Sequence, residues 1–273
     1  MLEKNTSVGL NNVPFHFCEG PPSPDIRSAL FTRLINAWQS TGFAWGAKIQ
    51  DARHRRREAM SKRKAFEEFA NGELIARLRE LGLDVDRFYW GPKTISLRVA
   101  LALVRMIDAT PPKHVLEIGA GTSTAILAAL SSAYDFSVLS IENHMPTIKY
   151  VQYLLGNIPA QEHLTMQLCK FKRFRCHDEA GGRYWWYDVD FSHATADFDF
   201  VFIDGPVESV VGRRGSLPAI VNRLAEDHLV VCDDLMNRPV GRECRAAWSR
   251  YFPEMTCEAD AYAPRLARIR VPH

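Results

Sequence analysis

Hydrophobic positions follow two different periods along the second part of this chain. Short apolar runs, typical of buried parallel strands, alternate with segments whose apolar residues recur at helical spacing. The runs predict strands at 115–118, 136–141, 164–168, 198–203 and 228–232, and the segments between them predict helices at 122–130, 146–155, 217–225 and 242–251. Two closing runs, at 255–259 and 266–271, predict a final strand pair. This alternation predicts an α/β fold with a doubly wound, mostly parallel sheet.

The first part of the chain has a different pattern. Residues 1–24 are rich in Asn, Pro and Gly and predict an irregular arm, and residues 25–39 and 44–80 predict helices. A further helix over 93–106 leads into the first strand and is expected to cover one face of the sheet. We therefore divide the chain into an N-terminal arm with a helical extension, 1–90, and an α/β domain, 91–273.

A basic cluster lies in the long helical segment, at residues 53–57 and 62–64. It is either a surface for phosphate, nucleic acid or anionic lipid, or a solvated helix face. Acidic residues interleaved with the cluster, such as Glu58 and Glu67, favour the solvated face. The N-terminal helices also leave open a homo-oligomer formed through them.

Composition limits the cellular locations and the binding partners that we expect for this protein. The formal net charge of the 273 residues is only +2, so we expect no nucleic-acid partner for the molecule as a whole. No apolar run reaches the ~18 residues of a membrane span, and the N-terminus does not resemble a secretory signal. The six cysteines are scattered without a C-x-x-C pair, which predicts reduced thiols and a cytoplasmic location.

The segment 115–124 contains the candidate ligand loop. A strand, two glycines and a helix start follow one another, so backbone N–H groups and the positive end of a helix dipole can meet a ligand. A dinucleotide fingerprint would have a third glycine where Thr124 stands. The carboxylate of Glu117 would repel a pyrophosphate but can hold an ammonium group. The candidate loop residues are Glu117, Gly119, Ala120, Gly121, Thr122 and Ser123.

The acid-x-G-x-G pattern of Glu117, Gly119 and Gly121 resembles motif I of class I S-adenosylmethionine (SAM)-dependent methyltransferases. The resemblance implies SAM as cofactor and a seven-stranded sheet that ends in an antiparallel pair. Glu142 ends the second strand of the domain, 23 residues after Gly119, where an acid can accept hydrogen bonds from both ribose hydroxyls. Asn143 follows it and is expected to line the same crevice.

Three acids follow two later strands. Asp204 follows the run 198–203, and Asp233 and Asp234 follow 228–232. Because parallel strands end at one edge of a sheet, these carboxylates should lie together and need a cation, a proton or an arginine between them. We predict Asp204, with Asp233, as the catalytic base. The candidate arginines are Arg213, Arg214, Arg238 and Arg242.

The same acids resemble the metal site of catechol-type O-methyltransferases, in which an Asp and an Asp-Asn pair follow the corresponding strands. The resemblance implies Mg²⁺ or Mn²⁺ held by Asp204, Asp233 and Asp234. The second member of the pair is Asp here, which departs from the family pattern and leaves metal binding open.

Residues 204–206, 212–214, 217–220 and 233–234 together resemble a group of methyltransferases that includes the plant glucuronoxylan 4-O-methyltransferases. This resemblance covers about residues 90–250. It implies that Arg213 or Arg214 holds an acceptor carboxylate, although either could pair with a nearby Asp. The insertion 170–196 is typical of an active-site cover, and Trp186 within it could stack on adenine or acceptor, or simply pack.

These patterns predict a SAM-dependent O-methyltransferase that acts on a small hydroxylated acceptor, a sugar or a phenol. Two alternatives remain open. One is a non-catalytic SAM-fold adaptor with a basic helical extension. The other is an aminopropyl transferase, which shares the fold but needs several acids to hold a polyamine.

Overall fold

The computed structural model describes residues 15–18, 72–91, 94–156, 158, 162–175, 183–192, 194, 196–206, 211–236 and 239–272. The predicted helix 25–39, most of the helix 44–80 and the basic cluster lie outside these residues. No helix within the described ranges is long and apolar enough to cross a membrane.

One large sheet forms the centre of the molecule. Among the described residues the strands are β1 Phe15–Cys18, β2 His114–Ile118, β3 Ser137–Glu142, β4 Leu164–Cys169, β5 Phe171–Arg175, β6 Arg183–Tyr187, β7 Phe198–Ile203, β8 Leu224–Cys232, β9 Thr256–Ala259 and β10 Ala267–Arg270. Eight of them form the large sheet in the order β1-β4-β3-β2-β7-β8-β10-β9, parallel from β1 to β8, with β10 antiparallel to both β8 and β9. The expected seven strands and their antiparallel end are present, and β1 adds an eighth at the edge, so the predicted fold class is confirmed.

Helices and a ribbon cover the two faces of the sheet. Successive strand residues point to opposite faces, so Val115 packs in one hydrophobic cluster and Leu116 in the other. The helices within the described ranges are α1 Gly72–Glu80, α2 Leu97–Ala109, α3 Thr122–Tyr134, α4 Met145–Leu155, α5 Ser216–Ile220 and α6 Pro239–Tyr251. The helices α1–α4 form the first cluster with the sheet, whereas α5, α6 and the two-stranded β5–β6 ribbon form the second.

The described end of the N-terminal extension packs on the α/β domain. Leu74 and Leu78 of α1 are fully buried in the same cluster as α2. Arg77 donates a hydrogen bond of 2.8 Å to Asp108, whose carboxylate also accepts from the Tyr134 hydroxyl at 2.7 Å. Residues 72–90 are thus continuous with the core. Of residues 1–71 the structure describes only β1, which pairs with β4, so the irregular arm predicted over 1–24 is corrected at residues 15–18. The separate helical extension remains a prediction for the other residues of this range.

Element boundaries differ from the sequence expectation mainly around β8. The helix predicted at 217–225 ends at Ile220, and a 3-10 turn, Val221–Arg223, leads directly into the strand. Leu224 already pairs with Phe198 of β7, and an irregularity between Phe198 and Phe200 lets the pairing continue. Strand pairing across the sheet therefore outweighs the local helical pattern of this segment.

The insertion 170–196 contains the antiparallel β5–β6 ribbon, which packs on the domain. Trp186 is 1% exposed, and its Nε1 donates a hydrogen bond of 3.2 Å to the Ser216 hydroxyl. Its ring stacks on Phe191 with a centroid distance of 6.4 Å. The expectation that Trp186 meets the acceptor is therefore corrected, because this side chain is a sealed part of the second cluster.

Replacement of Trp186 by Ala should lower the free energy of unfolding by about 3–5 kcal/mol, since it empties a packed site and removes a buried hydrogen bond. Urea denaturation followed by circular dichroism measures the change. Trp185→Ala is the matched control, because Trp185 is only partly buried and should cost clearly less. Equal losses for the two variants would contradict the assignment of Trp186 to the core.

Candidate functional site

The strand order reverses between β2 and β7, and a crevice outside the carboxyl ends of these strands is the usual ligand position in such sheets. Backbone hydrogen bonds join the strand tips at this point. The Gly119 N–H donates to the Ile141 carbonyl at 3.0 Å, and the Asp204 N–H donates to the Ile118 carbonyl at 2.9 Å. The glycine loop and the first of the three acids are therefore held side by side.

The two loop glycines serve different purposes. Gly119 has a φ of +93°, and a Cβ there would stand 2.7 Å from the Gly205 nitrogen and 2.8 Å from its Cα. The space beside Gly119 is thus filled by the backbone at the tip of β7. At Gly121 no heavy atom of the described residues lies within 4 Å of the Cβ position, so among them this side of the loop is open to a ligand.

A chain of hydroxyl and carboxylate groups lies beneath the loop. The Gly121 N–H donates to Thr124 Oγ1 at 2.9 Å, and the Thr124 hydroxyl donates to Glu117 Oε2 at 2.6 Å. The Ser140 hydroxyl of β3 donates to the same oxygen at 2.7 Å. Thr124, in the place of the third fingerprint glycine, therefore connects the loop to two strands.

Glu117 is completely buried. Burial raises the pKa of its carboxyl to about 7, although hydrogen bonds from Ser123, Thr124 and Ser140 act to lower it. The expectation that Glu117 holds a ligand ammonium is therefore corrected, because the side chain lies below the loop and supports it from inside.

The first turn of α3 offers its main chain to the crevice. Thr122 and Ser123 are each 2% exposed, and Thr122 Oγ1 has no hydrogen-bond partner within the described residues. The first N–H groups of a helix have no intrahelical acceptor and lie at the positive end of its dipole. Thr122 and Ser123 can therefore bind an anionic group through backbone N–H groups rather than through their hydroxyls.

Glu142 ends β3 and is 7% exposed. Its Oε1 accepts from the N–H groups of Asn143 and His144 at 2.7 and 2.8 Å, and its Oε2 accepts from the Ala120 N–H at 3.0 Å. Burial raises the pKa of this carboxyl to about 7, while the three backbone hydrogen bonds act to lower it. A carboxylate oxygen accepts about two hydrogen bonds, so Oε2 alone retains room for a ribose hydroxyl.

Asp204 follows β7, and its side chain is 27% exposed. Oδ1 accepts from Arg213 Nη2 at 2.8 Å, and the same nitrogen donates to the Asp204 carbonyl at 2.7 Å. Arg213 also donates to the Asp233 carbonyl, so it connects the tips of β7 and β8. Burial raises the pKa of Asp204 to about 7; the charge of Arg213 opposes this rise, and those of Asp233 and Asp234 add to it.

Asp233 does not fit the catalytic role that the sequence assigned to it. It is 1% exposed, and Arg265 Nε and Nη2 donate to its two oxygens at 2.7 and 2.6 Å. Oδ1 also accepts from the Asp234 N–H at 2.8 Å. Sequence reasoning missed Arg265, which lies 32 residues further along the chain and has no local motif to mark it.

The acidic rim consists of Asp204, Asp233 and Asp234, and as arranged it does not fit a divalent cation. Arg213 occupies one oxygen of Asp204, Arg265 occupies both oxygens of Asp233, and Arg265 Nη2 also lies 3.2 Å from Asp234 Oδ1. Among the described residues, no group of three or more His, Cys, Asp or Glu side chains is placed to hold a metal ion.

The arginines expected to meet an acceptor have other partners. Arg213 is 8% exposed, and its two Nη groups donate hydrogen bonds to Asp204 and to the Asp233 carbonyl. Arg214 forms an ion pair with Glu243 at the surface, and its carbonyl accepts from Trp248 Nε1 at 2.8 Å. Arg242 is exposed, and Arg238 lies outside the described residues. The expected contact of Arg213 or Arg214 with an acceptor carboxylate is thus replaced by contacts within the protein.

Comparison with known proteins finds similarity only at the level of structure. No family model matches the chain, and no curated protein sequence matches it. The SAH-bound methyltransferase PaMTH1 of Podospora anserina is 13% identical, with a TM-score of 0.48 over 79% of this chain and 97% of that one. The O-methyltransferase TomG of Streptomyces achromogenes, in complex with SAM, is 14% identical, with a TM-score of 0.47 over 74% and 90%. An O-methyltransferase of Bacillus cereus in complex with SAH is 10% identical, with a TM-score of 0.47 over 74% and 89%.

The two loop glycines should respond differently to the same substitution. Gly119→Ala forces a Cβ against the Gly205 backbone at positive φ and should cost on the order of 1–3 kcal/mol of unfolding free energy. Gly121→Ala adds a methyl group in open space, so it should fold normally and weaken binding of S-adenosylhomocysteine. Urea denaturation and calorimetry measure the two effects. Undiminished binding by a folded Gly121→Ala protein would show that the cofactor does not approach this side.

Glu117→Gln should flatten the pH dependence of stability. The folded-state pKa of about 7 exceeds the ordinary value of 4.5, so the wild type loses stability as pH rises from 4.5 to 7. From pH 5 to pH 8 the difference in unfolding free energy should move in favour of the variant by on the order of 3 kcal/mol. Asp204 titrates similarly in both proteins and cancels. The charge of Glu117 contributes to the raised pKa of Glu142, so its removal lowers that pKa and moves the difference in the same direction. A constant difference would refute the raised pKa.

Proposed function

We propose that this protein is a SAM-dependent methyltransferase that methylates a hydroxyl group of a small acceptor, a sugar or a phenol. The observation that carries the proposal is the position of Asp204. Its partly exposed carboxylate, with a pKa of about 7, lies at the strand switch point next to the glycine loop, and Glu142 ends β3, on the other side of β2. A titrating acid beside a ligand loop is the arrangement that acceptor deprotonation requires.

The residues present fit the cofactor that the sequence implies. When bound, SAM supplies an electrophilic methyl group on a positively charged sulfur. The open side of Gly121 would take the ligand against the main chain, and the N–H groups at the start of α3 would hold its carboxylate. Glu142 Oε2 would accept one ribose hydroxyl, and the adjacent Asn143 would line the same crevice.

Asp204 is the proposed general base. Arg213 holds Oδ1, while Oδ2 makes no hydrogen bond to the described residues and can take the proton of an acceptor hydroxyl. The acceptor oxygen would take the methyl group that bound SAM supplies, and its proton would pass to Asp204 Oδ2. A pKa near the working pH suits this task, and most of the acceleration comes from alignment of the two reactants.

The alternatives receive less support from the geometry. An aminopropyl transferase needs carboxylates available to a polyamine, but Asp233 is already paired with Arg265. The adaptor hypothesis depends on the basic cluster, which lies outside the described residues. Free thiols occur at Cys169, Cys232, Cys244 and Cys257, which is consistent with the reducing, cytoplasmic environment that we propose. A homo-oligomer through the N-terminal helices remains a proposal on the sequence alone.

Methyl transfer from tritium-labelled SAM to a panel of phenols, sugars and uronic acids tests the function. With an accepted substrate, kcat/KM should rise with pH and level off above about 7, because Asp204 must lose its proton before it can act. Asp204→Asn should lower kcat by about 10²–10⁴-fold while S-adenosylhomocysteine affinity measured by calorimetry is largely kept.

Three outcomes would contradict parts of the proposal. An active Asp204→Asn protein with an unchanged pH profile would remove Asp204 as the base. A folded wild-type protein that binds neither SAM nor S-adenosylhomocysteine would contradict the methyltransferase function. Tight SAM binding without transfer to any acceptor, together with salt-sensitive nucleic-acid binding, would favour the adaptor.

A further inference from the structure

The acidic rim places two adjacent carboxylates, Asp233 and Asp234, at the end of one buried strand, with Asp204 at the end of its neighbour. Their side chains are 1%, 13% and 27% exposed, respectively. Like charges at such depth repel each other and lose hydration, so a positive partner is needed for them to remain ionised together.

Arg265 is that partner for two of the three acids. Its Nε and Nη2 approach the two oxygens of Asp233 at 2.7 and 2.6 Å, which is the bidentate fork geometry of a strong guanidinium–carboxylate pair. Nη2 is shared with Asp234 Oδ1 at 3.2 Å. One planar cation thus lies where two neighbouring carboxylates meet.

The backbone around Arg265 is fixed by its own hydrogen bonds. Asp260, 2% exposed, accepts from the N–H groups of Tyr262 and Ala263 at 2.9 and 2.7 Å, and the Leu266 N–H donates to the Ala263 carbonyl at 2.8 Å. These hydrogen bonds fix the backbone of the turn between β9 and β10, so the side chain of Arg265 extends from a rigid segment.

The acids are equally constrained. Asp234 has a φ of +58°, a left-handed conformation that residues other than glycine adopt rarely. Its N–H donates to Asp233 Oδ1 at 2.8 Å, so this unusual backbone directs one acid toward the other. Two carboxylates brought together in this way surround a position that a small cation or a guanidinium can fill.

We propose that Arg265 takes the place of a divalent cation at the acidic rim, and that this protein orders the rim without a metal. A guanidinium keeps its charge over the whole physiological pH range, so the arrangement does not depend on metal supply. Arg265 is a positioning residue here: it holds Asp233 and Asp234, while Arg213 holds Asp204. These contacts of Arg265 fix the acidic rim whether or not the protein transfers methyl groups.

Removal of Arg265 should therefore create a cation site that the wild type lacks. We expect R265Q to unfold several degrees below the wild type, and added Mn²⁺ to recover part of that loss. Electron paramagnetic resonance of free Mn²⁺ should show about one more bound ion per chain in R265Q than in the wild type, and R265Q/D233N should lose that ion. The wild-type melting temperature should not change with EDTA or with millimolar Mg²⁺ or Mn²⁺.

R268Q is the matched control. Arg268 pairs with the buried Asp260 at 2.8 and 2.7 Å from the same pair of strands, but Asp260 has no second acid beside it in the sequence. R268Q should lose stability in a similar way and gain no Mn²⁺ response. This control separates the loss of a buried ion pair from the creation of a cation site.

The proposal is overturned if the wild type binds Mn²⁺ in a manner that D233N abolishes, or if folded R265Q gains no Mn²⁺ binding over the wild type. If R265Q does not fold, the wild-type comparison with D233N decides the question alone. These outcomes are independent of methyl transfer. An inactive protein with the expected Mn²⁺ response refutes only the proposed function, and an active protein whose wild type needs Mn²⁺ for stability refutes only the role of Arg265.

Discussion

The close approach of two glycines at the tips of β2 and β7 is the constraint on which the site depends. A Cβ on Gly119 would collide with the Gly205 backbone, so only glycine lets these strand ends meet at this distance. The contact places Asp204 next to the loop and encloses Glu117 beneath it. The open side of the loop is then left at Gly121, which decides where a ligand can approach.

Three buried acids and the partly exposed Asp204 lie within this small region, and three kinds of group compensate their charges. Hydroxyl donors serve Glu117, backbone N–H groups serve Glu142, and guanidinium groups serve Asp204 and Asp233. The number of carboxylate oxygens left without a partner distinguishes an acid that supports the structure from an acid that can react. Asp233 has both oxygens occupied and acts as scaffold, whereas Asp204 keeps one oxygen available and a pKa close to neutrality.

The insertion contributes to the site indirectly, by supporting the segment that carries Arg213. Trp186 of the ribbon donates to Ser216 at 3.2 Å, and Trp248 of α6 donates to the Arg214 carbonyl at 2.8 Å. The segment is thus held from two sides, which keeps the Arg213 guanidinium between the tips of β7 and β8. The described part of the ribbon therefore packs in the second cluster and supports this segment. The active-site cover expected from the sequence stays a prediction, because residues 176–182 of the insertion lie outside the described part of the chain.

The sequence by itself determined the alternation of strands and helices, the glycine loop and the positions of Glu142 and Asp204 at strand ends, because these follow from local periodicity and from the parallel direction of the strands. Only the tertiary structure decided which partner each acid has. Arg265 reaches Asp233 across 32 residues, and Glu117 turns inward to Ser140 across 23. Such pairings depend on how distant strand ends and turns meet, and no local pattern encodes them.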